Sequence, residues 1–110
     1  MTEINLGSVN QTGRTTIMSA MLDGLRSRGF LAIMVKPTII AALEFWRKPG
    51  HSFLVFDPEL ALARLEGKFG RTDRIAVGLD DTHLFDAQPI LDELAEMAKH
   101  GHTVTVITAR

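Results

Sequence analysis

Two features of this chain have residue types and spacing suited to chemistry. One is the adjacent pair Asp80-Asp81, which closes an apolar run. The other is Gly13-Arg14-Thr15-Thr16, which follows a short apolar segment and a polar loop. Carboxylates at a strand end can hold a divalent cation or take a proton from a nucleophile. A glycine-led loop that opens a helix turns backbone N–H groups and the helix N-terminus towards an anion. Residues 4–16 have that layout, with Ser8-x-x-x-x-Gly13-Arg14-Thr15 set against the phosphate-loop pattern G-x-x-x-x-G-K-[ST]. The second glycine and the hydroxyl are kept. Ser8 stands for the first glycine and Arg14 for the lysine. An ordinary polar strand-to-helix turn uses the same residue types, so the loop alone leaves both readings open.

The second segment weighs on the first. Residues 74–81, Arg74-Ile75-Ala76-Val77-Gly78-Leu79-Asp80-Asp81, read as an apolar strand ending in acids. Behind a phosphate loop, Asp80 is expected to hold Mg²⁺, directly or through water, and Asp81 to polarise a nucleophile. A solvated Asp-Asp-Thr turn is the plain alternative. Agreement between the two segments favours a phosphate-loop fold.

The elements that must position these residues follow from periodicity. The first strand lies within residues 1–9, with Gly7 and Ser8 at its exit. Residues 15–28 place Ile17, Met18, Met21, Leu22 and Leu25 on one helix face, and Gly29 caps the end. The continuous apolar run 30–35 suits a strand covered on both faces. Lys36-Pro37 ends it, so Lys36 lies at a strand's carboxyl end, where open α/β sheets bind ligands; a solvated lysine is the other reading. Thr38 caps a helix over 38–47 whose face holds Ile39, Ile40, Leu43 and Trp46, with Trp46 expected in the core. Residues 52–56 form a third strand. Asp57-Pro58-Glu59 starts a short helix, with Asp57 as cap. Residues 67–73 are a basic loop. Asp86 caps an amphipathic helix with Ile90, Leu91, Leu94, Met97 and Ala98 inward, and Gly101 stops it. Residues 103–108 are a β-branched fifth strand. Strands alternating with helices predict an α/β, three-layer αβα domain over residues 1–110, with a mainly parallel sheet of about five strands.

Composition sets the bounds. The 110 residues are 45% hydrophobic and 23% charged, with a net charge of −1. That suits one globular domain and argues against nucleic acid or an acidic membrane as partner. Cysteine is absent, which excludes disulfides and thiolate zinc sites. No apolar run is long enough to span a bilayer, and the N-terminus lacks the order of a secretion signal, so a cytoplasmic location is expected. His51, His83, His100 and His102 are scattered. His100-x-His102 straddles a helix stop and reads as surface. His83 reads as a hydrogen-bonding neighbour of Asp81.

Taken in order, Gly13-Arg14-Thr15-Thr16, Val35-Lys36-Pro37, Val77-Gly78-Leu79-Asp80-Asp81-Thr82-His83-Leu84-Phe85 and Val104-Thr105-Val106-Ile107 resemble the motifs of the cellular-type thymidine kinases. There the loop reads G-x-x-x-S-G-K-T-T, the second strand ends F-K-P, and the acidic strand reads I-G-I-D-E-A-Q-F-F. The resemblance implies a RecA-like phosphate-loop core that binds ATP or another nucleoside triphosphate with Mg²⁺. It implies that Ser8, Asn10, Gln11, Thr12, Gly13, Arg14, Thr15 and Thr16 face the phosphates. Thr15 and Asp80 would hold the Mg²⁺, Arg14 would lie on phosphate oxygens, and Asp81 would replace a glutamate as base. It also implies that the fifth strand lies near the loop and brings Thr108 and Arg110 towards the phosphates.

Departures accompany the match. Arginine is planar and bulky where lysine is compact. Asp81 is one methylene shorter than glutamate, and His83 stands for glutamine. The zinc ribbon and base-covering loop of the family have no counterpart in these residues, so no zinc is expected and autonomous thymidine phosphorylation is not. The alternative expectation is an inactive protein-interaction factor on the same scaffold, of the kind a virus or mobile element derives from a kinase. Its partner would be another protein or a second copy.

Overall fold

The structure, a computed structural model, describes residues 1–7, 13–67 and 72–110. Among these residues the elements run β1 (Thr2–Asn5), α1 (Arg14–Ser27), β2 (Leu31–Val35), α2 (Ile39–Trp46), β3 (Leu54–Phe56), α3 (Pro58–Glu66), β4 (Arg74–Leu79), α4 (Gln88–Lys99) and β5 (Thr103–Thr108), with a single 3₁₀ turn at Thr82–Leu84. The five strands form one sheet in the order β1-β5-β4-β2-β3, and every pairing is parallel. The α/β three-layer expectation holds, and the sheet is wholly parallel.

The strand order explains the layers. The first two connections carry the chain across the sheet one way, and the last two carry it back. Right-handed crossovers then put the two helix pairs on opposite faces. The core divides accordingly. Ile33, Val35, Ile75, Val77, Leu79, Val104 and Val106 pack under α3 and α4. Ala32, Met34, Ala76 and Ile107 pack under α1 and α2. Neighbours in sequence fall in opposite clusters, as a strand's period of two requires. Gly78 faces α1 so closely that a Cβ there would lie 2.7 Å from Met18 Sδ. The continuous apolar runs of β2 and β4 are buried on both faces, as in parallel sheets generally.

Local signals set the helix ends. Thr38 accepts from Ala41 N at 3.1 Å and caps α2. Asp57 accepts from Leu60 N at 3.4 Å, and Pro58 follows it at the start of α3. Asp86 accepts from Gln88 N at 3.0 Å, although the N-cap position of α4 itself is Ala87. Gly29 and Gly101 end α1 and α4 at φ +90° and +95°.

One helix lies differently from its sequence expectation. Ile39, Ile40, Leu43 and Trp46 were expected on the inward face of α2, but all four are exposed, Ile40 at 69%. The inward face holds Ala42 and Phe45 instead. Only Glu44 interrupts the apolar residues of this helix, so its pattern is nearly continuous around the axis and selects no face. The helix packs on β3, a three-residue strand at the sheet margin, so the sheet beneath it is too narrow to cover its whole apolar surface. Trp46 is thus half-exposed, and Phe45 is the inner ring, stacked on His51 and Phe53. Among the described residues no helix is long and apolar enough to cross a membrane.

Candidate functional site

Adjacent strands β2 and β4 are followed by helices on opposite faces, which opens a crevice at their carboxyl ends. The register pairs Val35 with Leu79, so the next residues, Lys36 and Asp80, emerge side by side. The ladder extends past the strand ends and fixes both backbones. Lys36 N donates to Phe56 O at 2.9 Å, and Asp80 N donates to Val35 O at 3.0 Å.

Asp80 is 2% exposed and receives three hydrogen bonds. Its Oδ2 accepts from Lys36 Nζ at 2.6 Å and from Thr15 Oγ1 at 2.9 Å. Its Oδ1 accepts from Asp81 N at 3.1 Å. Burying a carboxyl group this deeply is costly unless its oxygens are paired and hydrogen-bonded, as these are. Lys36 Nζ also lies 3.9 Å from Asp81 Oδ2 and 5.4 Å from the centroid of the Phe45 ring.

Asp81 is left-handed, at φ 54° and ψ 49°, alone among the described non-glycine residues. Such a conformation costs on the order of 1 kcal/mol, and aspartate tolerates it better than most residues. The bend aims the backbone of the next residues at the segment just past β5, where Thr82 N donates to Ala109 O at 3.0 Å. The Asp81 carboxylate is partly exposed beside a pocket of about 270 Å³, lined also by Lys36, Thr38, Glu44, Lys48 and Leu84. A second pocket, of about 420 Å³, opens on the α1 side and is lined by Thr15, Thr16, Ser19, Phe45, His51 and again Lys36 and Lys48. Lys48 Nζ lies 5.7 Å from the Phe45 centroid, so two ammonium groups flank one ring between the pockets.

Of the loop residues expected to face phosphate, Ser8, Asn10, Gln11 and Thr12 lie outside the described residues. Gly13 is the N-cap of α1, without a side-chain cap, and Arg14, Thr15 and Thr16 form the first turn. Thr15 reaches Asp80, and Thr16 lines the larger pocket. Arg14 donates from Nη1 to Gly7 O at 3.0 Å, which turns its guanidinium back to the exit of β1. Strand β5 lies between β1 and β4, and Arg110 N donates to the same Gly7 carbonyl at 3.3 Å. His83 is exposed. His100 and His102 each place Nδ1 on a backbone carbonyl, of Glu96 and Thr72 respectively.

Thr15, Asp80 and Asp81 supply the oxygen donors that Mg²⁺ prefers. The cation position on Asp80 Oδ2 is nevertheless filled by the Lys36 ammonium at 2.6 Å. With Lys36 so placed, the residues do not fit a resident Mg²⁺. Among the described residues no cluster of three or more His, Cys, Asp or Glu side chains could hold a metal.

The direct Lys36–Asp80 pairing was not read from the sequence, nor was the role of Phe45, Lys48 and His51 as pocket walls. The signal for the pairing was the ends of two buried strands, each closed by a charged residue. No protein-family model matches the chain, and no curated protein matches it either.

Proposed function

We propose that this chain is a divergent thymidine-kinase-like domain that binds the phosphates of a nucleoside triphosphate at the β2/β4 crevice. One observation carries the reading. Thr15 at the start of α1 hydrogen-bonds Asp80 at the end of β4, 2.9 Å apart in space and 65 residues apart in sequence. A hydroxyl from a glycine-led helix start and a strand-end carboxylate are the pair that a phosphate-loop site needs in one place. The first turn of α1 carries no acid that would repel an anion. In this reading Asp81, which lines the adjacent pocket, accepts a proton from an acceptor hydroxyl, and Arg14 leaves Gly7 to reach a phosphate. The cytoplasm is the compartment this reading implies.

Calorimetric titration with ATP and with a non-hydrolysable analogue tests it. Micromolar binding to the wild-type chain, weakened about tenfold or more by Thr15→Val, is the expected result. No heat at millimolar nucleotide sinks the reading.

A second reading, a protein-interaction factor, is favoured by the outer face of α2. Ile39, Ile40, Leu43 and Trp46 stand exposed beside a groove of about 310 Å³ that Leu60 and Phe56 help to line. Contiguous exposed apolar side chains mark interaction surfaces more often than chance. A partner captured by the wild-type chain and lost with Ile40→Asp, while the nucleotide titration is unchanged, would place the function on that face.

A further inference from the structure

The bonding of Asp80 carries a step beyond nucleotide binding. A single oxygen, Oδ2, receives the Thr15 hydroxyl at 2.9 Å and the Lys36 ammonium at 2.6 Å, and Asp81 Oδ2 lies 3.9 Å from that ammonium. One hydroxyl and two carboxylates are what a hard divalent ion gathers around itself. Here the cation paired with the two carboxylates is an ammonium covalently attached to the end of β2, and the Thr15 hydroxyl shares Asp80 Oδ2 with it. We propose that Lys36 is the built-in cation of this site: its ammonium takes the place of a divalent ion beside Thr15, Asp80 and Asp81, and phosphate is bound there without metal.

Three features support this. The ion pair is well buried, with side-chain exposures of 12% for Lys36 and 3% for Asp80, so salt screens it little. A Mg²⁺ ion keeps several waters and needs that same space. Lys36 is also held in place. Its backbone N–H is bound to Phe56 O, Pro37 follows it, and its ammonium lies over the Phe45 ring. Finally, an ammonium has three donors. One goes to Asp80 and a second points towards Asp81, which leaves one for a phosphate oxygen arriving through the larger pocket, where Lys48 adds a second positive charge.

The phosphate half of this inference rests on the proposed nucleotide binding; the occupation of the cation position does not. The decisive experiment therefore has two arms. In the first, Mn²⁺ is titrated into the protein and the free ion is followed by electron paramagnetic resonance. Lys36→Met and Lys36→Gln, each checked for folding by circular dichroism, are expected to gain one site with a Kd of about 0.1–1 mM, at the weak end of oxygen-ligated sites. Adding Asp80→Asn should remove it, and the wild-type chain should bind at least about tenfold more weakly. Wild-type Mn²⁺ binding as tight as in the Lys36 variants, and lost with Asp80→Asn, overturns the proposal. So does a folded Lys36 variant that gains no site.

In the second arm the wild-type chain is titrated with a non-hydrolysable ATP analogue in EDTA and in Mg²⁺. Affinities within about threefold of each other are expected. Binding that appears only with Mg²⁺ overturns the proposal and leaves nucleotide binding standing. Binding in neither condition removes the nucleotide reading, and the Mn²⁺ arm then decides the role of Lys36.

Discussion

Asp80 is the side chain on which the site turns, because every donor around it would be stranded by its loss. Removing only Lys36 leaves a buried carboxylate without its counter-charge. Lys36→Met is therefore expected to destabilise the fold by about 3–5 kcal/mol, read as a lowered midpoint in urea. Converting Asp80 to Asn as well should recover part of that, with a coupling of about 1–3 kcal/mol in the double-mutant cycle. Additive losses would show that the two groups do not depend on each other. The types of these residues were legible in the sequence, since Lys36 and Asp80 each close an apolar run. Their contact was not. It depends on β2 and β4 being neighbours, and no local pattern encodes which strands of a parallel sheet lie side by side. The left-handed Asp81 was also hidden, because an aspartate in that conformation looks like any other in the sequence.

At the scale of the element, periodicity succeeded where it had contrast and failed where it had none. Helix α4 alternates apolar and charged positions and buries Ile90, Leu94 and Met97, as the spacing requires. Helix α2 is apolar nearly all round, so the pattern could not say that Ala42 and Phe45 face inward while Trp46 does not. Helix α1 shows the intermediate case. Met18 and Leu22 are fully buried, yet Ile17 is 51% exposed although it belongs to the same apolar stripe. Ile17 lies one residue round the helix from Met18, on the flank of the stripe, and the centre of the stripe, Met18 and Leu22, crosses β4 closely at Gly78. A Cβ at residue 78 would stand 2.9 Å from Leu22 Cδ1 as well as 2.7 Å from Met18 Sδ. Both side chains are fully buried and have little room to yield. Gly78→Ala should then destabilise the domain by about 1–3 kcal/mol in denaturant unfolding, despite the gain in strand entropy. A neutral or stabilising result would mean that α1 sits further from the sheet.

Across the whole molecule, the alternation of strands and helices announced a parallel α/β sheet, and that much was legible from the pattern alone. The order β1-β5-β4-β2-β3 was not, because it is set by long-range closure. Its main consequence for stability is that β5 is a bridge. Strand β1 is paired to β5 and to no other strand among the described residues, so damage to β5 detaches it from the sheet. Val106→Asp, at a position 1% exposed, is expected to abolish cooperative thermal unfolding, whereas Glu3→Lys on the marginal strand should leave the transition within about 0.5 kcal/mol of wild type. The bridge also has a meaning in time. A ribosome releases β1 well before β5; at about 5–20 residues per second the earlier strand waits roughly 5–20 seconds for its partner. During that interval the nascent chain carries open hydrogen-bonding edges, and a cell that makes this protein has reason to shield them as they emerge.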